Sequence, residues 1–414
     1  MIRIDSKIFL FAILLFNFSD ASALERRKEQ FLKEPSYMIV PLPYSIAGIG
    51  EGIVLTALVG NVADTNVDAY LLGITGDAKG HILTIEDIHL LPERLILDLD
   101  RQDIDKAAVY NYEKRGMETG KKDYKLIEVD RADSNRATLT LSLFDRRLEL
   151  FGGIESFNNR VVMVRDSSGD IIENMKDDPY VNKGETHFAG LVVDYTDDRQ
   201  DPKKGIRMEL SGRSNPSRGD KNPDYYVIDQ SLTVYLPIAK NGTWALNYFA
   251  SDANVTSEGD TDPANIRQEL GFSCDPSNEE CLDAEQELVD TFIAQRKYGT
   301  SASLGGENRL RAYPRDRYSG AHTLYFGTEL RWNFSRQVRP FNYWIWKDIA
   351  TGIQLALFYE RGSVAEKKQD LGETWRSSYG AGLRLVSASG YVYRVDMATG
   401  KEGETMAIIF DYPW

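Results

Sequence analysis

Short runs of alternating apolar and polar residues recur along this chain. In Thr138-Leu139-Thr140-Leu141-Ser142-Leu143 the leucines take one side and the hydroxyls the other, and Arg147-Leu148-Glu149-Leu150 repeats the pattern with charges. Ile206, Met208 and Leu210 alternate with Arg207, Glu209 and Ser211; Leu232, Val234 and Leu236 with Ser231, Thr233 and Tyr235; Trp244, Leu246 and Tyr248 with Ala245, Asn247 and Phe249. Leu324, Phe326, Leu330 and Trp332 share one face and Tyr325, Gly327, Glu329 and Arg331 the other. Ile353, Leu355, Leu357 and Tyr359 likewise oppose Gln354, Ala356, Phe358 and Glu360. A period of two predicts strands with one apolar and one polar face. Asn241-Gly242 reads as a hairpin tip, and Asp201-Pro202-Lys203-Lys204-Gly205, Gly390 and Gly400-Lys401-Glu402-Gly403 as further turns. The acidic stretch from Asp252 to Asp290 reads as one long loop with a short helix near Leu282 to Phe292. No fixed-period repeat interrupts this order.

A soluble sandwich with one wet face shows the same alternation in any single strand. Three features favour a transmembrane barrel, whose strands turn one face to lipid and the other to a polar interior. Trp and Tyr lie near strand ends, as at membrane interfaces. The chain opens with an export signal: Arg3 and Lys7, an apolar run from Ile8 to Phe16, then Ala21-Ser22-Ala23. That run is too short to span a bilayer. Finally, Met406, Ile408, Phe410, Tyr412 and Trp414 fall on one face at the C-terminus. This predicts a last strand that closes the barrel, with Phe410, Tyr412 and Trp414 as its assembly signal. Pro413, which lacks an N–H, is tolerable at a strand end.

The expected organisation is a signal peptide over 1–23, a short periplasmic segment over 24–37 and an outer-membrane barrel over 38–414. No later stretch of the 414 residues is apolar for long enough to make a transmembrane helix. The formal charge of −14 argues against nucleic acid as a partner. Cys274 and Cys281 are the two cysteines. In an exported chain they are expected to form a small disulfide loop; a metal site is the rival reading, without a further Cys or a nearby His to support it. Long loops in such barrels usually lie outside the cell. Counting strands back from Trp414 instead places this segment on the periplasmic side, and the count is followed here. The four histidines are scattered, and no metal or cofactor is expected.

The C-terminal half carries a family resemblance. Gly305-Gly306-Glu307-Asn308-Arg309-Leu310-Arg311-Ala312-Tyr313, followed by Arg317-Tyr318-Ser319-Gly320, resembles the conserved loop of the bacterial surface antigen, or BamA/TamA-like, outer-membrane superfamily. Glu329-Leu330-Arg331, Phe358-Tyr359-Glu360-Arg361-Gly362-Ser363-Val364 and Arg394-Val395-Asp396-Met397-Ala398 resemble its following strands, in family order. Asp194 to Asp198 with Asp201 to Gly205 resembles an upstream hairpin; before Gly190 the likeness is faint. Ala312 stands where the family has Gly, Glu360 where it has Asp, and Thr196 where it has Arg. The resemblance implies an all-β, antiparallel transmembrane barrel of about sixteen strands with an inward-folding loop. Only a short segment precedes Met38, which leaves no room for the POTRA domains that many members carry.

In the family the loop arginine meets acidic wall residues inside the lumen. Strand parity sends Glu329 and Glu360 inward, so the resemblance makes Arg311 a latch held by either carboxylate, with Tyr313 beside it. On composition alone, Arg311 is a solvated loop arginine. Two functional classes follow: a barrel that inserts or translocates other proteins, which requires a weak seam between first and last strands, or a passive structural barrel or small-solute pore. An enzyme is not expected, since no nucleophile elbow or metal-ligand spacing is present. The expected partners are outer-membrane lipids and periplasmic or outer-membrane proteins, and the expected state is a monomer.

Overall fold

The structure, a computed structural model, describes residues 35–216, 219, 221–271, 274–336, 341–343, 346–349, 351–387, 392–410 and 412–414. The expected signal peptide and the segment from 24 to 34 lie outside the described residues. In chain order the elements are β1 (Ser36–Ile46), β2 (Gly50–Gly60), β3 (Asp68–Gly76), β4 (Lys79–Leu91), β5 (Leu95–Tyr112), β6 (Tyr124–Leu143), β7 (Leu148–Arg165), β8 (Ile171–Asn174), β9 (Tyr180–Asp194) and β10 (Gly205–Asn215). They continue as β11 (Asp224–Ile238), β12 (Gly242–Ser257), α1 (Pro263–Leu270), α2 (Glu279–Tyr298), β13 (His322–Arg336), β14 (Phe341–Tyr343), β15 (Trp346–Ile349), β16 (Thr351–Ala365), β17 (Arg376–Ser387), β18 (Val392–Gly400) and β19 (Gly403–Phe410). Sixteen strands make a closed antiparallel β-barrel; β8, β14 and β15 are short additions at its ends.

The alternation becomes an inside-out distribution. Leu55, Leu71, Leu83, Leu139, Leu210, Phe326, Leu357 and Leu383 point outward and are exposed, whereas Asp194, Asn247, Glu329, Gln354, Ser378 and Arg394 point inward and are buried. An apolar girdle around a polar interior suits a strand-built membrane protein and would be unstable in water. No described helix is long and apolar enough to cross a membrane.

Because the barrel strands are even in number, β1 begins and β19 finishes at the same end. The connection from β12 to β13 carries both helices. α1 starts on Asp262, whose side chain accepts from the Ala264 N–H, has Pro263 in its first turn and stops at Gly271 in the left-handed region (φ 66°). α2 is longer than the sequence suggested, and its cap Asn278 accepts from the Cys281 N–H. Glu287 on α2 hydrogen-bonds Lys114 (2.8 Å) and holds that ammonium above the usual lysine range.

Cys274 and Cys281 are disulfide-bonded just ahead of and within the first turn of α2. Their side of the barrel differs from the sequence count. Five barrel strands (β13, β16, β17, β18 and β19) separate them from Trp414, so they lie at the end opposite the termini. After the long loop the sequence offered three alternating runs and one strand by resemblance, Arg394 to Ala398; the one missed is β17. The purified chain should take up no alkylating reagent without reductant and two equivalents after reduction and unfolding, as read by mass spectrometry. On intact cells, a thiol label applied after mild reduction should reach both cysteines.

The barrel's two ends of chain meet differently from the rest. Neighbouring strands pair over most of their length, but the ladder between β1 and β19 is limited to Ser45 and Ile408 among the described residues, with the Ser45 hydroxyl donating to the Met406 carbonyl beside it (3.4 Å). Farther along β1, Tyr37 and Met38 pair with Lys347 and Trp346 of β15. β19 ends at Phe410, and the alternation does not carry on to the C-terminus as expected: Tyr412 and Trp414 turn into the lumen. Their aromatic rings find partners there, whereas on the outer face they would have prolonged β19 alongside β1.

Candidate functional site

The connection from α2 to β13 folds back into the barrel. Gly305 (φ 113°) begins the reversal, and a Cβ there would lie 2.2 Å from the Pro314 carbonyl oxygen, so only glycine fits. Leu304 and Tyr318 exchange backbone hydrogen bonds of 2.8 and 2.9 Å, and the Gly306 N–H donates to the Tyr313 carbonyl (2.8 Å). The loop is thus closed on itself. Its left-handed non-glycine positions are Leu310 (φ 57°) and Asp316 (φ 55°), not Ala312, so the Cβ that Ala312 adds meets no backbone strain.

Arg311, at the tip, is fully enclosed. Its Nε donates to Glu360 Oε1 (2.9 Å) and its own backbone N–H to Glu360 Oε2 (2.8 Å). One terminal nitrogen reaches Asp396 Oδ2 (2.8 Å), and both reach Glu329 Oε2 (3.2 Å). The guanidinium lies flat over Phe358, 3.4 Å from the ring centre. The Thr405 hydroxyl donates to the Arg311 carbonyl (2.6 Å). The Tyr313 hydroxyl donates to the Ser377 carbonyl and accepts from the Lys401 N–H, each at 3.2 Å.

Strand parity brings Glu329 and Glu360 to Arg311; a third carboxylate, Asp396, joins them. The cations around this centre are Arg311, Arg331, Arg384 and Arg394, and none of the seven charged side chains is more than 2% exposed. Glu329 binds Arg331 (2.6 Å) and Arg384, and Asp396 binds Arg394 (2.7 Å). Glu360 also accepts from Tyr325 (2.9 Å) and Ser378 (2.6 Å). The sequence signal for the added residues was parity again: Arg331 is two positions from Glu329, and Arg394 two from Asp396. At the upstream hairpin, Thr196 donates to Asp194 (2.5 Å), while Arg207 pairs with the other oxygen of that carboxylate (2.9 Å).

The rest of the loop braces against three other connections. Arg317 pairs with Glu402 (2.7 Å) and donates to the Thr119 carbonyl (2.8 Å), and the Arg315 N–H donates to Ala47 (3.1 Å). From the other end the C-terminal tail enters. Trp414 Nε1 donates to the Tyr325 hydroxyl (3.0 Å), the Tyr412 hydroxyl donates to Asp201 (2.8 Å), and Arg331 lies 4.0 Å from the Tyr412 ring centre. A chain of contacts therefore runs from Trp414 through Tyr325 and Glu360 to Arg311. Among the described residues no cluster of three His, Cys, Asp or Glu is arranged to hold a metal ion.

Two prolines mark the seam. The Tyr393 hydroxyl donates to the Pro43 carbonyl (3.0 Å), so the odd-numbered residues of β1 present their backbone groups to the β19 side. A residue's N–H and C=O leave a strand on the same edge. Pro41 and Pro43 therefore remove two donors from the edge that faces β19, and none from the ladder with β2. Continuing the Ser45–Ile408 register, they would oppose Tyr412 and Phe410.

No protein-family model matches the sequence, and no curated protein does. Among solved structures, CdiB from Acinetobacter baumannii is similar over 92% of this chain and 60% of its own, at 11% identity and a TM-score of 0.50. CdiB from Escherichia coli matches over 92% of this chain and 68% of its own, at 11% identity and a TM-score of 0.49. BamA from Haemophilus ducreyi lacking POTRA domains 1–3 matches over 92% and 69%, at 12% identity and a TM-score of 0.49. The likeness at these identities is one of fold, and this chain spans about three fifths of the A. baumannii protein.

Proposed function

We propose that this chain is an outer-membrane barrel that assists the insertion or translocation of other proteins by parting β1 from β19, a mechanical task with no enzymatic chemistry. The observation that carries the proposal is the seam, one residue pair long among the described residues and deprived of donors by Pro41 and Pro43. A barrel that only had to persist would gain from a full ladder here, since each backbone hydrogen bond contributes about 0.5–1.5 kcal/mol. The lumenal loop, latched by Arg311, keeps the interior filled while the wall parts, which counts against a passive wide pore. Phe410, Tyr412 and Trp414 are proposed as the signal by which the chain itself is assembled. Partners would be lipids and exported proteins, received by a monomer.

Purified barrel in liposomes should accelerate the folding of a second, unfolded outer-membrane barrel, followed by its shift to the folded gel band. Changing Pro43 to Ala returns one donor to the seam, opposite Phe410, and stabilises the closed form by about 0.5–1.5 kcal/mol, which should slow the reaction roughly fivefold. An unchanged rate, or no acceleration by the parent, would overturn the reading.

A further inference from the structure

We infer that the outer wall of the barrel holds a single acyl lipid with an anionic phosphate head, the head on Arg361 and one chain in the apolar groove below it. The inference rests on the outer-membrane placement proposed above, and not on the seam or on any insertion activity.

Strand parity puts Arg361 on the outer face. Glu360 enters the lumen, so the next side chain of β16 points the other way. Arg361 is opposed by Phe326 on β13 and by Ser377 on β17. Its guanidinium carbon lies 3.7 Å from the ring centre of Trp375. Trp375 packs on Phe326 (6.0 Å between ring centres), and Phe326 on Tyr248 (5.4 Å). Such an aromatic cluster on the outer wall, toward the end opposite the termini, marks the level at which a barrel meets lipid head groups. The protein leaves this cation unmatched. Among the described residues no carboxylate stands within ion-pair distance of Arg361, and no acceptor takes a hydrogen bond from it. Its Nε is buried, but its terminal nitrogens stay accessible from outside.

The groove begins one outward position farther down the same strands. Tyr359 is opposed by Thr328 and Tyr379, and Leu357 by Leu330 and Ala381. Thr328 and Ala381 are the short side chains of this surface. The taller Trp244, Leu330, Tyr359, Tyr379 and Met397 stand around them and leave a groove of about 560 Å³, within the range of small-ligand sites. Trp244 Nε1 donates to the Thr328 hydroxyl (2.7 Å), so that side of the groove presents no free N–H.

A charged head and an apolar slot in one register fit an amphiphile. Stacking on Trp375 fixes the guanidinium plane, and the terminal N–H groups match two oxygens of a phosphate. The chain adds packing contacts in the groove but no gain from leaving water, since bilayer lipid is already apolar. Selectivity therefore lies with the head. A zwitterionic head carries its own ammonium beside the phosphate and brings a like charge toward Arg361, so a net anionic head is preferred.

Native mass spectrometry of the folded full chain in detergent tests the site. The probes are phosphatidylglycerol, phosphatidylethanolamine with the same two chains, and glycerol 3-phosphate, a phosphate without chains. One phosphatidylglycerol should be retained, more tightly than phosphatidylethanolamine, and glycerol 3-phosphate should not displace it. Arg361→Gln should weaken retention roughly tenfold. Ala381→Leu, which fills the groove and leaves Arg361 in place, should also weaken it, with both variants checked for the folded gel band. The inference is overturned if the parent retains no phosphatidylglycerol, or if Arg361→Gln retains it as the parent does. Equal retention of the two lipids would overturn the charge assignment, and an unchanged Ala381→Leu the place of the chain. Displacement by glycerol 3-phosphate would mean a phosphate site without a lipid. Cell fractionation reads the outer-membrane placement separately, so a barrel found there that retains no lipid sinks this inference alone.

Discussion

Replacing Arg311 by Ala should release the lumenal loop and cost about 3–5 kcal/mol, the usual penalty for breaking a buried ion pair from one side. The loss is unevenly shared. Glu329 keeps Arg331 and Arg384, and Asp396 keeps Arg394. Glu360 keeps only the neutral donors Tyr325 and Ser378, and so becomes a buried anion without a counterion. The double change Arg311→Ala with Glu360→Gln should therefore be more stable than Arg311→Ala alone. Arg311→Lys should recover only part of the loss, because a single ammonium cannot reproduce a planar fork that reaches three carboxylates. Thermal unfolding followed by gel mobility reads the stability, and limited proteolysis of residues 299–321 reads the loop. Strand content by circular dichroism should stay unchanged. A single variant that melts with the parent, or a double variant worse than the single, would show that the cluster does not hold the loop.

The second large effect is expected from locking the seam. Ser45 and Ile408 are directly opposed in antiparallel strands. Such pairs have Cα atoms about 4.5–5.5 Å apart, within reach of a disulfide. In a background with Cys274 and Cys281 changed to Ser, the pair Ser45→Cys and Ile408→Cys should cross-link on oxidation and abolish client insertion. Reduction should restore it. The cross-link adds nothing to the lumen or to the Arg311 cluster, so a loss reversed by reductant reports on the seam alone. Full activity of the oxidised protein would mean that β1 and β19 need not part, and the proposed mechanism would fall with it.

Most of the barrel wall was legible because a membrane barrel prints its two environments directly into a period of two. Trp332 and Arg331 needed no coordinates to be assigned to lipid and lumen. The failures have physical causes. β1 to β5 and β9 were not singled out; in β5 the stretch from Asp100 to Lys106 is charged on both faces. β17 carries Gly380, Gly382 and Arg384 between its apolar positions and was passed over, which moved the disulfide to the wrong end. In the site, parity found Glu329 and Glu360, but Asp396 becomes a partner of Arg311 only once the barrel curls β18 around the loop tip. The C-terminal tail misled for a different reason. Aromatic residues at every second position fit a lipid face, and they also fit a lumen that offers Tyr325, Asp201 and Arg331 as partners.

The bridge between Cys274 and Cys281 has a consequence for the order of events in the cell. It sits at the end of the barrel away from both termini, whereas an exported chain meets disulfide-forming chemistry on the side from which it arrives. In the outer-membrane placement proposed above, with the termini on that side, the bond would form before the segment crosses the bilayer, and α2 would travel with its first turn already cyclised. Oxidation then becomes an early step of biogenesis and insertion a later one. A chain delivered without oxidant would carry two free thiols to the far surface and keep them there.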